Sequence, residues 1–466
     1  MEKIKVTSPY DGHSIEEIPL SSYEEGEAML EKAYRLFKDT SKEIPKYQRI
    51  EILEKAAQLM SERVEELTKT AAEEGGKPYK DSKVEVLRAI NGVKLAAEHI
   101  GQMKGEEIPM GLTKASEGRM GFTFREPIGP VFSISAFNHP LNLTIHQTVP
   151  AIAAGCPVII KPATSTPLSA IKFINILYEA GLPKEWAKYI VCKSNIAEKL
   201  VTDPRVSFMS FIGSAKIGWY LQSKLSSGTR YALEHGGVAP VIIEPDADFD
   251  DALPLIAKGG FYHAGQVCVS VQRVYVHESR SREFAERLSG KASALKTGDP
   301  LDPETDAGPL ISPYENDRVE EWVKEAKDAG AEILTGGKRI NDFSFEPTVL
   351  FNPPEDIKVS TEEVFGPVVC IYSYKNLDEA IKRSNQLPFA FQSAVFTKNI
   401  DTALKCVKDM NASSVMVNDH TAFRVDWMPF GGRDDSGYGM GGIPDSMHDM
   451  TRVKLMVFKS PSLLNK

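Results

Sequence analysis

The chain has 466 residues, 42% of them hydrophobic and 26% charged, with a net charge of −9 and five cysteines. This is ordinary soluble globular composition with room for two or three domains, and an acidic balance without a basic tract argues against nucleic acid as a partner. The N-terminus lacks the apolar core of a signal peptide, no run approaches the roughly 18 apolar residues of a membrane span, and five scattered cysteines without a CxxC pair fit neither a disulfide framework nor a zinc site, so a reducing, cytoplasmic setting without a metal is expected.

Residues 20–75 read as helices, with Ile50, Leu53, Ala57, Met60, Val64 and Leu67 recurring at helical spacing. Gly75-Gly76-Lys77-Pro78 breaks the pattern, and a second helical stretch runs to about residue 100. Residues 105–126 alternate and carry turn residues, as an exposed hairpin does. The apolar runs 131–135 and 157–160 suit buried strands, and the Leu-, Ile- and Ala-rich stretch 141–154 between them suits a helix, which together make a βαβ unit. Residues 206–211 and 241–243 are further strand candidates. Residues 250–430 repeat the pattern: a helix near 251–264, a strand at 271–277, and helices at 280–295 and 313–329. The fold class is therefore α/β, built on open, mostly parallel sheets in two domains. The strand-like tail 453–458 needs a partner, and a second subunit is one candidate.

Two segments carry the chemistry. Glu234-His235-Gly236-Gly237 offers a carboxylate beside a flexible turn, and Gly265-Gln266-Val267-Cys268 offers a thiol in a small-residue loop. A thiol and a carboxylate are what covalent attack on a carbonyl, followed by hydrolysis of the thioester, requires. The plainer readings are a cysteine filling the core and a solvated glutamate. Asn138, in Ala136-Phe137-Asn138-His139-Pro140 at the end of the first strand, can donate to a developing oxyanion; it can equally make a local turn bond before proline. Lys161-Pro162 follows the next strand, where a lysine reaches a ribose or phosphate or simply lies exposed. Phe211-Ile212-Gly213-Ser214 leads into a helix whose first amides can face a pyrophosphate, although the segment is not GxGxxG.

Asn138, Lys161, Gly213-Ser214, Glu234-x-Gly-Gly, Cys268, Glu363-Val364-Phe365-Gly366-Pro367 and Pro429-Phe430-Gly431-Gly432, in this order, closely resemble the signature set of the NAD(P)-dependent aldehyde dehydrogenase superfamily. The resemblance runs from about residue 5 to residue 460. It implies an aldehyde-dehydrogenase-like fold: a Rossmann-like cofactor domain (1–111 and 131–238), an α/β catalytic domain (239–448) and a small β bridging domain (112–130 and 449–466) that joins homodimers or homotetramers. By position it makes Cys268 the nucleophile, Asn138 with the Cys268 N–H the oxyanion donors, and Glu234 the base for water. It places Glu363 on the nicotinamide ribose, Phe365 near the ring, Lys161 on the adenosine ribose, Gly213 and Ser214 at the pyrophosphate, and Trp219 on the adenine side.

Two departures stand out. Where the family often has Lys-Pro-Ser-Glu, whose glutamate selects NAD, this chain has Lys161-Pro162-Ala163-Thr164. A neutral Thr164 does not repel a 2′-phosphate and Lys161 attracts one, so NADP is expected to be accepted or preferred over NAD. Gly439-Met440-Gly441-Gly442 replaces a common Gly-Arg-Glu-Gly, away from the chemistry. The stretch from Asn418 to Asp426 resembles the subgroup of lactaldehyde, glyceraldehyde, succinate-semialdehyde and phosphonoacetaldehyde dehydrogenases. There Arg424 or His146 can hold a carboxylate, phosphonate or hydroxyl of a small polar aldehyde; alternatively Arg424 braces its loop through Asp426 or backbone carbonyls. A CoA-acylating relative generally lacks a base at the Glu234 position, a γ-glutamyl-phosphate reductase should lack Glu-x-Gly-Gly, and a non-catalytic protein keeping the fold would be free to lose Cys268 or Glu234.

Overall fold

A computed structural model describes residues 2–463. Two large sheets organise the chain. In the first, six strands lie in the order Gly437–Tyr438, Arg230–Glu234, Phe208–Ile212, Val131–Ile134, Val158–Lys161 and Ala187–Tyr189, all parallel except the antiparallel Gly437–Tyr438 edge. In the second, seven strands lie in the order Glu332–Thr335, Thr348–Phe351, Val368–Tyr374, Arg273–His277, Pro240–Ile243, Gln392–Phe396 and Ser414–Val417, with only the first antiparallel to its neighbour.

The strands are apolar throughout because both faces of each sheet are covered. In the first sheet Val131, Val158, Ile160 and Phe208 face the helices Lys46–Glu62, Val64–Gly75, Tyr79–His99, Pro140–Ala154 and Leu168–Glu179. The alternate residues Phe132, Ile159 and Met209 face Leu30 and Leu200 of the helices Tyr23–Lys38 and Ser194–Val201. The second sheet divides the same way, Val274, Val276 and Ile371 to one side and Tyr275, Cys370 and Tyr372 to the other.

Helix starts are set by side chains the sequence supplies nearby or from a neighbour. Ser22 and Glu25 form a capping box on Tyr23–Lys38. Pro167 and His139, which precede Leu168–Glu179 and Pro140–Ala154, provide no side-chain cap. Buried glutamates from other helices do so instead: Glu74 accepts from the Leu168 and Ser169 amides at 2.7 and 2.8 Å and from the Ser169 hydroxyl, and Glu85 accepts from the Leu141 and Asn142 amides, each at 2.9 Å. A carboxylate there also meets the positive end of the helix dipole.

The tail strand finds its partner inside its own chain. Thr451–Lys459 pairs antiparallel with Arg119–Pro127, which pairs in turn with the short strand Glu107–Ile108. The tail strand is the outer edge of that three-stranded sheet, and Val453, Leu455, Met456, Val457 and Phe458 along it are exposed.

Glu74→Ala would strip three hydrogen bonds from a fully buried helix start and leave two backbone donors unpaired. The expected loss is at least about 2 kcal/mol of unfolding free energy, measured by urea denaturation; an unchanged midpoint would show that water replaces the cap.

Candidate active site

The first sheet has its switch point between Val131–Ile134 and Phe208–Ile212, since the strands that follow Val131–Ile134 in the chain run outward to one side and the later ones to the other. The carboxyl ends there are where ligands gather in open α/β sheets. Ser135 to Asn138, Lys161, Gly213-Ser214 and Glu234 all follow such ends. A cavity of about 510 Å³ opens at this edge, and its other wall comes from loops before strands of the second sheet: Val267-Cys268-Val269 ahead of Arg273–His277, and Glu363 and Phe365 ahead of Val368–Tyr374.

The nucleophile loop is shaped by its backbone. The helix Phe249–Phe261 stops three residues short of the expected 264, because His263 and Ala264 take left-handed φ values of 51° and 52°, followed by Gly265 at 69°. This reverses the chain so that Cys268 faces the cavity. A side chain at 265 would collide with the Gly366 carbonyl oxygen, so the two loops touch through bare backbone. Gln266 is fully buried; its amide donates to the His263 and Pro309 carbonyls at 3.2 and 3.1 Å and its oxygen accepts from the Ile311 N–H at 2.9 Å. Asn138 Nδ2 donates to the Gln266 carbonyl at 2.9 Å, tying the oxyanion candidate to the nucleophile loop and leaving its second N–H uncommitted to that bond.

Cys268, Glu234 and Asn138 line one cavity. Burial, then the Glu234 carboxylate, push the Cys268 thiol well above its ordinary value, while Arg424 pulls it down. Burial likewise raises Glu234, against the opposing pull of Arg424. Glu234 Oε1 is buried without a hydrogen-bond partner among the described residues, and Arg424 Nη1 stands 4.0 Å from it. A base held this way is neither quenched by a tight ion pair nor stabilised as a solvated carboxylate.

Arg424 does not brace its loop through Asp426. Its guanidinium lies 3.5 Å over the Phe430 ring centroid, and Nη2 reaches His146 Nδ1 at 3.4 Å. His146 Nε2 in turn donates to Asp426 at 2.8 Å. Burial, with Arg424 adding to it, lowers His146 to about 4, so the ring is neutral and its Nδ1 is free to accept. Burial opposes ionisation of Asp426, but hydrogen bonds from His146 and Arg88 outweigh it and hold the carboxyl below its ordinary value. His146 does not line the main cavity; it sits behind Arg424 and orients it, which corrects its expected place against substrate.

The residues expected at a nicotinamide cofactor divide in two. Lys161, Gly213, Ser214, Glu363 and Phe365 line the cavity. Thr164 and Trp219 do not. Thr164 is exposed, with Oγ1 3.4 Å from Lys161 Nζ, and the Trp219 indole donates to the Asp435 carbonyl at 3.3 Å with its ring edge on His235. The donor set fits the cofactor. Ser214 starts the helix Ala215–Gln222 with its side chain uncommitted to a cap, Lys161 supplies a cation, and Glu363 Oε1 is buried and unpartnered among the described residues. Burial pushes Glu363 up to about 8 against the pull of the Gly237 N–H, and a side chain at Gly236 would collide with it.

Sequence reasoning missed several cavity residues, three of which bear on the substrate end. Arg88 projects from Tyr79–His99, where nothing in the flanking Leu87 and Ala89 marks it as a cavity residue. His139 and Tyr262 also line the cavity and share a hydrogen bond at 3.1 Å; His139 was legible only as the residue next to Asn138.

A family model described as the aldehyde dehydrogenase family matches residues 1–456. A 3-sulfolactaldehyde dehydrogenase of Priestia aryabhattai is 38% identical over 98% of this chain and 95% of its own length. The crystal structure of aldehyde dehydrogenase 21 from Physcomitrella patens, in complex with the reaction product succinate, superposes with a TM-score of 0.95 at 35% identity, covering 98% of this chain and 95% of that one. The glyceraldehyde-3-phosphate dehydrogenase GapN of Methanocaldococcus jannaschii, complexed with NADP, gives 0.94 at 36% identity, covering 99% and 100%.

Cys268 should rest as a thiol. Its alkylation by iodoacetamide is expected to be slow at neutral pH and to climb with pH beyond 9, and Glu234→Gln, which removes a charge that raises the thiol, should speed it at pH 8. Fast, pH-independent alkylation from pH 6 upward would mean a resting thiolate.

Proposed function

The chain belongs to the aldehyde dehydrogenase family, and from that premise we propose that it oxidises a small anionic or hydroxylated aldehyde to its carboxylic acid through a thioester on Cys268, with NADP preferred to NAD. The observation that carries this reading is the joint lining of one cavity by Cys268, Glu234, Asn138 and, of three arginines there, Arg88 and Arg424.

Cys268 Sγ attacks the aldehyde carbon and gives up its proton as it does so, Glu234 being the acceptor in the same cavity. The second Asn138 N–H and the Cys268 backbone N–H hold the oxygen as it becomes negative. When bound, the nicotinamide cofactor supplies the hydride acceptor; Lys161, Ser214, Glu363 and Phe365 would hold it. Glu234 releases that proton to solvent and then takes one from water, which attacks the acyl carbon; the C–S bond breaks, the acid leaves, and the proton on Glu234 returns to the Cys268 sulfur. A base at 234 favours water over CoA as the acyl acceptor.

Arg88 is bound to Asp426 through Nε and Nη2 at 3.2 and 2.8 Å, which fixes its direction. Arg424 has Nε buried without a partner among the described residues, so it retains donors for a carboxylate, phosphate or sulfonate. Tyr262 and His139 offer a hydroxyl and a neutral ring to an alcohol on the substrate. The six-stranded sheet with its helices is the cofactor domain in this reading and the seven-stranded sheet the catalytic domain. The three-stranded sheet, with its apolar outer strand, is the bridging surface of a homodimer or homotetramer, in a cytoplasmic enzyme. Among the described residues no helix is long and apolar enough to cross a membrane.

The test is absorbance at 340 nm without CoA, crossing lactaldehyde, glyceraldehyde, succinate semialdehyde, phosphonoacetaldehyde, 3-sulfolactaldehyde and a plain alkanal with NADP and NAD, with Cys268→Ala as the blank. Turnover of a small polar aldehyde with higher kcat/KM for NADP is expected; a clear NAD preference would overturn the cofactor assignment, and turnover only on adding CoA the hydrolytic one. Arg424→Ala should cut kcat/KM for the anionic aldehydes by about 10- to 100-fold more than for the alkanal, the worth of one charge-assisted hydrogen bond. Equal losses for both would remove the clamp.

A further inference from the structure

We propose that the buried Lys77–Glu85 ion pair is a positioning device that presents the Asn138 amide to the reacting oxygen. The proposal rests on the reading of Asn138 as an oxyanion donor.

Lys77 and Glu85 are both buried, and neither lines the cavity. Lys77 follows the Gly75-Gly76 turn, where Gly76 has φ 72° and a side chain would come within 2.8 and 2.9 Å of Pro9 and Pro309. That turn sends the lysine inward. Its ammonium pairs with Glu85 Oε2 and donates to the Asn138 carbonyl oxygen at 3.2 Å. The other carboxylate oxygen, Oε1, accepts from the Leu141 and Asn142 amides. One ion pair therefore grips the main chain on both sides of the Asn138 side chain: its own carbonyl, and the helix that begins two residues later. The Asn138 amide is gripped from the far side by the Gln266 carbonyl. With carbonyl, helix start and amide all fixed, the remaining N–H has one direction.

The stability argument for such a pair is weak. Desolvating two charges costs about what their attraction returns, and apolar residues of the same volume pack equally well. The geometry of these contacts is what an apolar pair could not reproduce. A displacement of the oxyanion donor by a fraction of an ångström is enough to lose its contribution, because such donors act only when aimed in advance.

The experiment is a double-mutant cycle read by pre-steady-state formation of reduced cofactor in the full-length enzyme. The variants are Asn138→Ala, Lys77→Met, the charge-free pair Lys77→Met/Glu85→Gln, and each of the latter two combined with Asn138→Ala. The charge-free pair guards against misfolding from a stranded charge, since glutamine keeps an oxygen for the Leu141 and Asn142 amides. Asn138→Ala is expected to slow the burst by about 10²- to 10³-fold, and the Lys77 variants by at least about 10-fold, with cofactor affinity unchanged. In the combined variants the losses should not multiply: each should match Asn138→Ala within about 2-fold, as for residues acting as a unit. A folded charge-free pair with the wild-type burst, or losses that multiply, would overturn the positioning role alone. A fully active Asn138→Ala would overturn both this role and the oxyanion reading beneath it.

Discussion

One hydrogen bond spans the two halves of the chemistry. The Asn138 amide hangs on the carboxyl edge of the first sheet, the Gln266 carbonyl on the amino edge of the second, and they meet at 2.9 Å. Neither sheet alone presents more than part of the cavity: the first carries the Glu234 carboxylate and the Asn138 amide, the second the Cys268 thiol. The bond constrains how the sheets approach. It places the end of a parallel strand, the direction in which open α/β sheets offer ligands, against a loop whose backbone is reversed by three successive left-handed residues.

The charges around the cavity follow a related economy. Three polar groups of the cavity have their orientation set by a neighbour outside it: Arg88 by Asp426, Arg424 by His146, Asn138 by Lys77 and Glu85. Glu234 and Glu363 are exceptions, since each has one oxygen with no donor among the described residues. Arg88 and Asn138 are held from outside the cavity, while Arg424 Nε keeps a donor free.

Much of this was legible in the amino-acid sequence, for physical reasons. The strands that carry the site are apolar on both faces, so 131–135 and 157–160 stand out; Cys268 sits in a small-residue loop, Asn138 just past a strand end and Glu234 before a Gly-Gly turn. The parts that were not legible depend on side-chain direction. His146 occupies a helix buried all round, and nothing local says that it turns toward Asp426 rather than substrate. Trp219 lies beside the phosphate-facing helix start, yet its indole finds a carbonyl from a distant loop, 216 positions along the chain. Arg88 lies within a helical stretch and carries no local mark of a cavity residue. The early end of Phe249–Phe261 had no signal, because Ala264 does not favour left-handed backbone and a lone histidine beside it does not mark a helix end. The tail strand was read correctly as needing a partner, but strand pairing over more than 300 residues leaves no local mark.

The contact between Gly265 and the Gly366 carbonyl separates two properties of the enzyme that usually change together. The position of the thiol is set by backbone against backbone, with no side chain to trade for another. The far end of the cavity is set by side chains: Arg88, Arg424, Tyr262 and His139. Redesign of those side chains for a longer, neutral or differently charged aldehyde leaves the Gly265–Gly366 backbone contact in place. The scaffold offers a constant reaction with an exchangeable appetite.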